Sequence, residues 1–305
     1  MYIDLKDIPN YDDWIKIEKI NKGWSDDIKF YLEDKGGGKY LLRINSIEKF
    51  ESKENEFRII KKYNKLNFEM SKAITSGICN NGKNVYMIFS WVEGAALDNV
   101  LSKLDEEEQF KLGIKAGEIL KSIHNIKVDK EDLPEETKIR RKLQQLKRYE
   151  DSLYRIPNDE YIVKFIKDNI HKTCIEEPVY EHGDFHPGNL IYTLDKRIGV
   201  IDFNRLECGD RYEEFYKIQI LTIEQSIPFA IGQIKGYFRG EPPKKFWEIQ
   251  KIYVAHASLF SIEWAVKFGK NDINAMIKRC YKARMDYENF KLLIPKWYSE
   301  NVRRF

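Results

Sequence analysis

The strongest constraint on the fold is a change of pattern near Glu93-Gly94. Before it, from Asp12 to Trp91, short apolar runs alternate with turn residues around one helical interruption, the pattern of a small sheet carrying one helix. The runs predict strands at Trp14–Ile20, Ile28–Glu33, Tyr40–Asn45, Ala73–Cys79 and Val85–Trp91. Lys35-Gly36-Gly37-Gly38-Lys39 and Asn80-Asn81-Gly82-Lys83 are turn signals between them. Phe57, Ile60, Tyr63 and Leu66 recur at helical spacing, so the one helix lies between Glu51 and Leu66. Past Gly94 long helical patterns take over, broken only by a short β-like patch between Val179 and Asp202. Two domains follow: residues 1–93, with a hinge at 90–94, and residues 94–305. Length agrees, because a single core usually stops growing before a chain reaches 305 residues.

Charge and hydropathy exclude several classes of function. With 52 Lys+Arg against 49 Asp+Glu the net charge is +3, too balanced for capture of nucleic acid or an anionic membrane as the main activity. The longest stretch without a charged residue, Ile252 to Ile262, is well short of the ~18 apolar residues of a membrane span. The N-terminus has Asp4, Lys6 and Asp7 where a secretory signal has apolar residues, so a cytoplasmic location is expected. Cys79, Cys174, Cys208 and Cys280 are scattered without metal-type spacing and read as reduced structural thiols. Asp105 with Glu108 is a capping box opening a helix that runs to about His124, which accounts for the acidic run 105–108. The basic run Lys138 to Arg148 carries Leu143 and Leu146 at helical spacing and reads as a solvated helix face.

The residues that carry chemistry are Glu181-His182-Gly183-Asp184-Phe185-His186-Pro187-Gly188-Asn189-Leu190 and Gly199-Val200-Ile201-Asp202-Phe203-Asn204-Arg205. Ile191–Thr193 and Ile198–Ile201 predict a hairpin turning around Asp195-Lys196. Asn189 and Asp202 are equidistant from that turn, so pairing would set an amide oxygen and a carboxylate side by side. Such a pair suits magnesium, which takes few protein ligands and completes its shell with phosphate oxygens and water. Asp184, five residues before Asn189 in a Gly- and Pro-punctuated loop, can face the same site without being a ligand. A group that accepts a hydroxyl proton belongs there.

The run from His182 to Asn189, followed by Ile201-Asp202-Phe203, resembles the signature of the aminoglycoside phosphotransferase family, which includes choline-kinase-like and macrolide-kinase-like enzymes. The resemblance extends over nearly the whole chain. It implies an α+β, protein-kinase-like bilobal fold, with a small antiparallel-sheet N-lobe with one helix and a larger, mainly helical C-lobe. It implies that Asp184 is the catalytic aspartate, that Asn189 and Asp202 hold Mg2+, and that Arg205 sits close to the phosphates. A purine nucleoside triphosphate, ATP or GTP, would be the phosphoryl donor and a small-molecule hydroxyl the acceptor, in a protein expected to be a monomer.

In the first lobe Arg43 points opposite to Leu42 and Ile44, where the family template has a Lys bound to the nucleotide phosphates. An Arg keeps the charge and offers two donors. Glu56, on the inward face of the helix, is placed to pair with it, and Glu54, aligned with Arg58 and Lys61, is the weaker candidate. A mere exposed ion pair is the alternative. Lys22 to Asp27 occupies the position of a phosphate-covering loop with one glycine, and Ser25 is its candidate phosphate contact. Tyr86 to Gly94 resembles the family hinge, which implies purine hydrogen bonds to the backbone of Ser90 and Val92.

Simpler readings apply to the histidines. His182 is expected to hydrogen-bond the loop backbone, and His124 and His256 to be packed core residues. Trp247, Tyr253, Phe260, Trp264 and Phe268 fall near helical spacing, as core aromatics do. The function expected is a small-molecule kinase acting on an aminoglycoside or related aminocyclitol, with Glu224, Glu263 and Asp272 as candidate carboxylates for a polycationic acceptor. A kinase for choline, an amino sugar or a macrolide, and an inactive nucleotide-binding regulator, are the alternatives. A protein kinase fits less well, since Asp202-Phe203-Asn204 lacks the D-F-G glycine and no A-P-E segment follows.

Overall fold

The computed structural model describes residues 4–21, 26–174 and 176–305. In chain order it begins with β1 (Trp14–Ile20), β2 (Ile28–Asp34) and β3 (Lys39–Ser46), helix α1 (Phe50–Tyr63), then β4 (Glu69–Met70), β5 (Ala73–Cys79) and β6 (Asn84–Ser90). After β7 (Ala95–Ala96) come helices α2 (Glu106–His124), α3 (Ile139–Glu150) and α4 (Glu160–Asn169). Short strands β8 (Val179–Glu181), β9 (Leu190–Tyr192), β10 (Ile198–Val200) and β11 (Glu207–Gly209) follow. The remainder is helical: α5 (Ile223–Gln225), α6 (Ile227–Phe238), α7 (Lys244–Trp264), α8 (Lys270–Asp286) and α9 (Lys296–Ser299).

By contact the chain divides into two units, one of residues 1–95 with 190–205, the other of 96–189 with 206–305. The β9–β10 hairpin, read in the sequence with the residues after 94, thus groups with the first unit through β10, which runs parallel to β4. In that unit the five-stranded sheet has the order β1-β2-β3-β6-β5, every neighbour antiparallel. Asp34 sets the β2–β3 turn: its carboxylate accepts from Gly36 N and Gly38 N at 2.9 and 2.7 Å and from the Tyr40 hydroxyl at 2.7 Å. Gly37 at the tip has φ +82°, a backbone state that favours glycine. One sheet face buries Leu32, Leu42, Ile44, Tyr86 and Ile88 under Leu5 and Ile8 of the N-terminal segment. The opposite face meets α1, where Phe57 lies 6.0 Å from Phe89 between ring centres. Alternation along β3 therefore sends Arg43 toward the helix and Leu42 and Ile44 away from it.

The second unit is built on helices. Asp105 caps α2, its carboxylate accepting from Glu108 N at 2.8 Å, as the capping box implies. Further along, Gly113 and Gly117 of α2 face Gly232 and Gly236 of α6 so closely that a Cβ on any of the four would strike a carbonyl oxygen of the other helix. A second core joins α3, α4, α7 and α8 through Leu146, Ile162, Ile166, Leu259, Ile262 and Cys280. Leu143 of α3 is 38% exposed and Leu146 is fully buried, so only part of the expected stripe faces inward. No helix of the described residues is long and apolar enough to cross a membrane.

Candidate active site

The loop between β8 and β9 is held from behind. His182 N–H and Gly183 N–H donate to the two oxygens of Glu214 at 2.7 and 2.9 Å, and Gly183 has φ +78°, which lets the chain turn there. Glu214 is buried, with His124 Nε2 3.8 Å away. Burial alone would raise its carboxyl, but His124 and His182 outweigh that and hold it below the usual range. His124, expected only to pack, thus supports this carboxylate and also bonds the Tyr237 hydroxyl through Nδ1 at 2.9 Å. His182 is fully buried and accepts from Asp184 N through Nδ1 at 3.2 Å, the loop-backbone role the sequence suggests. Asn189 donates Nδ2 to the Asp184 carbonyl at 3.0 Å, which ties the end of the loop to its start.

The Asp184 side chain meets two groups. Lys217 Nζ forms an ion pair with Oδ1, and this lysine is only 4% exposed at the start of a π-helical stretch, Ile218–Thr222. Such irregular turns are frequent at functional sites. His186 Nε2 lies 3.6 Å from the same Oδ1. Burial pushes the imidazole down to about 4 against the pull of Asp184, so it is neutral near pH 7. Its Nδ1 accepts from Gly188 N at 3.1 Å, which puts the ring proton on Nε2, facing Asp184.

In the first unit Asp202 follows β10 with φ +63°, a state a non-glycine residue adopts at a cost and one that concentrates at functional sites. Phe203 behind it is buried against Tyr63, with ring centres 5.5 Å apart. Lys29 Nζ stands 3.4 Å from Asp202 Oδ2. The hairpin register pairs Leu190 with Val200 and Tyr192 with Ile198, one residue off the sequence-based count. Pairing centred on Asp195 would put Ile201, not Asp202, opposite Asn189, and Asp202 lies in the left-handed region past the paired residues rather than in the ladder that the count assumed. Arg205 is exposed.

Arg43 meets Glu56, as the helix register implies: NH1 donates to Oε1 at 2.6 Å. The pair is not exposed. Arg43 is 3% exposed, and its Nε and NH2 both donate to Asp27, which the sequence analysis passed over. Lys53 closes the group at 3.0 Å from Asp27 and 2.9 Å from Glu56, and Asn45 Nδ2 donates to Asp27 at 2.6 Å. Burial would raise the Asp27 carboxyl, yet Arg43 and Lys53 bring it down to about 2. Ser25 lies outside the described residues. At the hinge, Ser90 N–H donates to the Lys72 carbonyl at 2.9 Å and its carbonyl accepts from Ser71 Oγ at 3.0 Å. Val92 makes no backbone hydrogen bond among the described residues.

Two of the three candidate acceptor carboxylates have separate arginine partners. Arg279 clamps Glu224 with bonds of 2.7 to 3.1 Å, Glu263 lies 3.8 Å from Arg148, and Asp272 sits in the first turn of α8. The Glu224 carboxylate thus has a bidentate partner in Arg279. Sequence reasoning missed Asp27, Lys29, Lys53, Glu214 and Lys217. For Lys29 a signal existed, since a lysine alternating with Ile28, Phe30 and Leu32 points to the same face as Arg43. Glu214 and Lys217 carry no spacing signal, because their partners lie 31 to 33 residues away.

A family model described as the phosphotransferase enzyme family matches residues 16–247. The chain belongs to that family. No curated protein matches the sequence at a significant level. Among solved structures, the GDP complex of wild-type aminoglycoside 2'-phosphotransferase-IIIa is similar over 92% of this phosphotransferase and 95% of that chain, with a TM-score of 0.69 and 12% identity. The amicoumacin kinase hAmiN in complex with AMP-PNP, Ca2+ and Ami aligns over 91% and 90%, with a TM-score of 0.65 and 13% identity. A ternary complex of an aminoglycoside phosphotransferase with streptomycin and ATP aligns over 89% and 93%, at 0.63 and 18%. At these identities the likeness is one of fold, and the phosphotransferase has the α+β, protein-kinase-like fold of these enzymes.

Proposed function

We propose that this phosphotransferase moves the γ-phosphoryl group of ATP or GTP to a hydroxyl of a small molecule, an aminoglycoside or related aminocyclitol. The observation that carries the reading is the Asp184 loop: a carboxylate flanked by Lys217 and neutral His186, on a backbone anchored to buried Glu214. That arrangement fixes one carboxylate in place, as orientation of an incoming hydroxyl requires. Asp184 would accept the hydroxyl proton late in the transfer, with Lys217 balancing the carboxylate charge until then. Ser90 and Val92 would contact the purine, Ser25 the phosphates, and Arg205 the transferring group, while Arg43 and Glu56 brace the sheet above them.

Asn189 and Asp202 fit a magnesium ion. Asn189 has its amide nitrogen committed to the Asp184 carbonyl, so its oxygen is the atom left to offer, and Asp202 already draws a cation in Lys29. Both are hard oxygen donors, and the ion would neutralise phosphate charge. A coupled assay with ATP and GTP against aminoglycosides, choline, amino sugars and macrolides tests the reading. Acceptor-dependent turnover supports it, its chemical class decides the substrate, and no turnover on the whole panel would favour a nucleotide-binding regulator.

A further inference from the structure

The family template puts one phosphate-binding cation on β3, and here that position is Arg43. Its surroundings suit a girder better than a ligand. Each of its three guanidinium nitrogens already donates to a carboxylate, its exposure is 3%, and Lys53 binds the same two carboxylates, Asp27 and Glu56. Withdrawing Arg43 toward a phosphate would leave buried carboxylates underpaired, which is costly.

On the neighbouring strand the register sets Lys29 of β2 directly opposite Arg43, so both side chains leave the same face of the sheet. Lys29 is 8% exposed, yet among the described residues its ammonium has a single long contact, 3.4 Å to Asp202 Oδ2. An ammonium is a compact charge with three donors, and such a buried cation needs further acceptors. Asp202 is the carboxylate assigned above to the metal; with that carboxylate engaged by a cation, Lys29 would be left to donate to the oxygens of a polyphosphate. We infer that Lys29 on β2, and not Arg43 on β3, is the lysine-type cation that binds the nucleotide's phosphate oxygens. Arg43, with Lys53, instead holds Asp27 and Glu56 and so keeps the start of β2 and helix α1 in place. The inference rests on the kinase reading of the site.

The test is calorimetric binding, with magnesium present, of three probes in both the adenosine and guanosine series: the nucleoside, the diphosphate and the non-hydrolysable imidotriphosphate. Lys29→Met should raise the Kd of the imidotriphosphate about tenfold or more and that of the diphosphate less, and leave the nucleoside unchanged, because charge-assisted hydrogen bonds are the strong ones and only phosphates supply them. Lys29→Arg should restore most of the affinity. An equal loss on all three probes would show that the side chain only supports the fold, and no loss on any would remove Lys29 from the phosphates; either result overturns the inference and leaves the kinase reading intact. If the wild-type protein binds none of the phosphorylated probes, the kinase reading fails and the inference goes with it.

Discussion

A carboxylate is useful to phosphoryl transfer only when it is held, and around Asp184 the holding is shared by a neighbour in sequence, His186, and by two residues some thirty positions on, Glu214 and Lys217. Lys217 pairs with its side chain, His186 presents Nε2 to it, and Glu214 takes the two backbone N–H groups that precede it. Asp184→Asn keeps the shape and removes the proton acceptor. Turnover on the acceptor should fall by ~10²-fold or more, as for positioned bases generally, while nucleotide Kd measured by calorimetry stays within a few fold. Retention of most of the wild-type rate would take Asp184 out of its role. Glu214→Ala strands the buried His182 donor at about 1–3 kcal/mol and the half-buried Gly183 donor at less, so the urea midpoint should drop and turnover with it. A midpoint equal to wild type would show that the loop does not depend on this anchor.

Among the elements, the contact between α2 and α6 is the tightest. In an isolated helix Gly→Ala is favourable by about 1 kcal/mol. At Gly117 the new methyl group would strike the Gln233 carbonyl oxygen, and at Gly236 that of Ile114. Gly117→Ala should therefore destabilise the protein by about 1–3 kcal/mol through overpacking, seen as a lower melting temperature. A rise would mean that the helices can part at no cost. Helix α7 supplies a pH dependence. His256 is buried with Nε2 2.9 Å from the Lys142 carbonyl, and burial, together with nearby Lys142, holds the imidazole down at about 3. Unfolded, it takes up a proton near pH 6.5, so this contribution to stability is present above pH 6.5 and is lost as pH falls toward 3. Each pH unit in that window costs about 1.4 kcal/mol per such group. His256→Gln, which retains an N–H donor, should flatten the fall in melting temperature between pH 7 and pH 5; an unchanged slope would assign the acid sensitivity elsewhere.

For the molecule as a whole, charge bears on the acceptor. With a net charge of only +3 the chain exerts no strong overall field, so a polycationic aminoglycoside must be held by local carboxylates. Its Michaelis constant should then rise with added salt, since exposed pairs are screened over about 10 Å at 0.1 M. A constant that is flat in salt for the best acceptor would favour an apolar one such as a macrolide. Much of this protein was legible in the chain alone. Period-two and helical patterns placed the five strands of the first sheet and α1 to within about three residues, because apolar residues recur in them at the period of the element between turn residues. The motif from His182 to Asn189, with Ile201-Asp202-Phe203, marked the candidate chemistry because that loop is contiguous in sequence. Tertiary structure decided the rest. It enclosed Arg43 with Asp27 and Lys53, set Lys29 against Asp202, and brought Glu214 and Lys217 to a loop some thirty residues earlier. It also moved the hairpin register by one residue and turned Asp202 into the left-handed region. Pairings between buried charges are set by where folded elements bring side chains, and no periodicity along the chain records them.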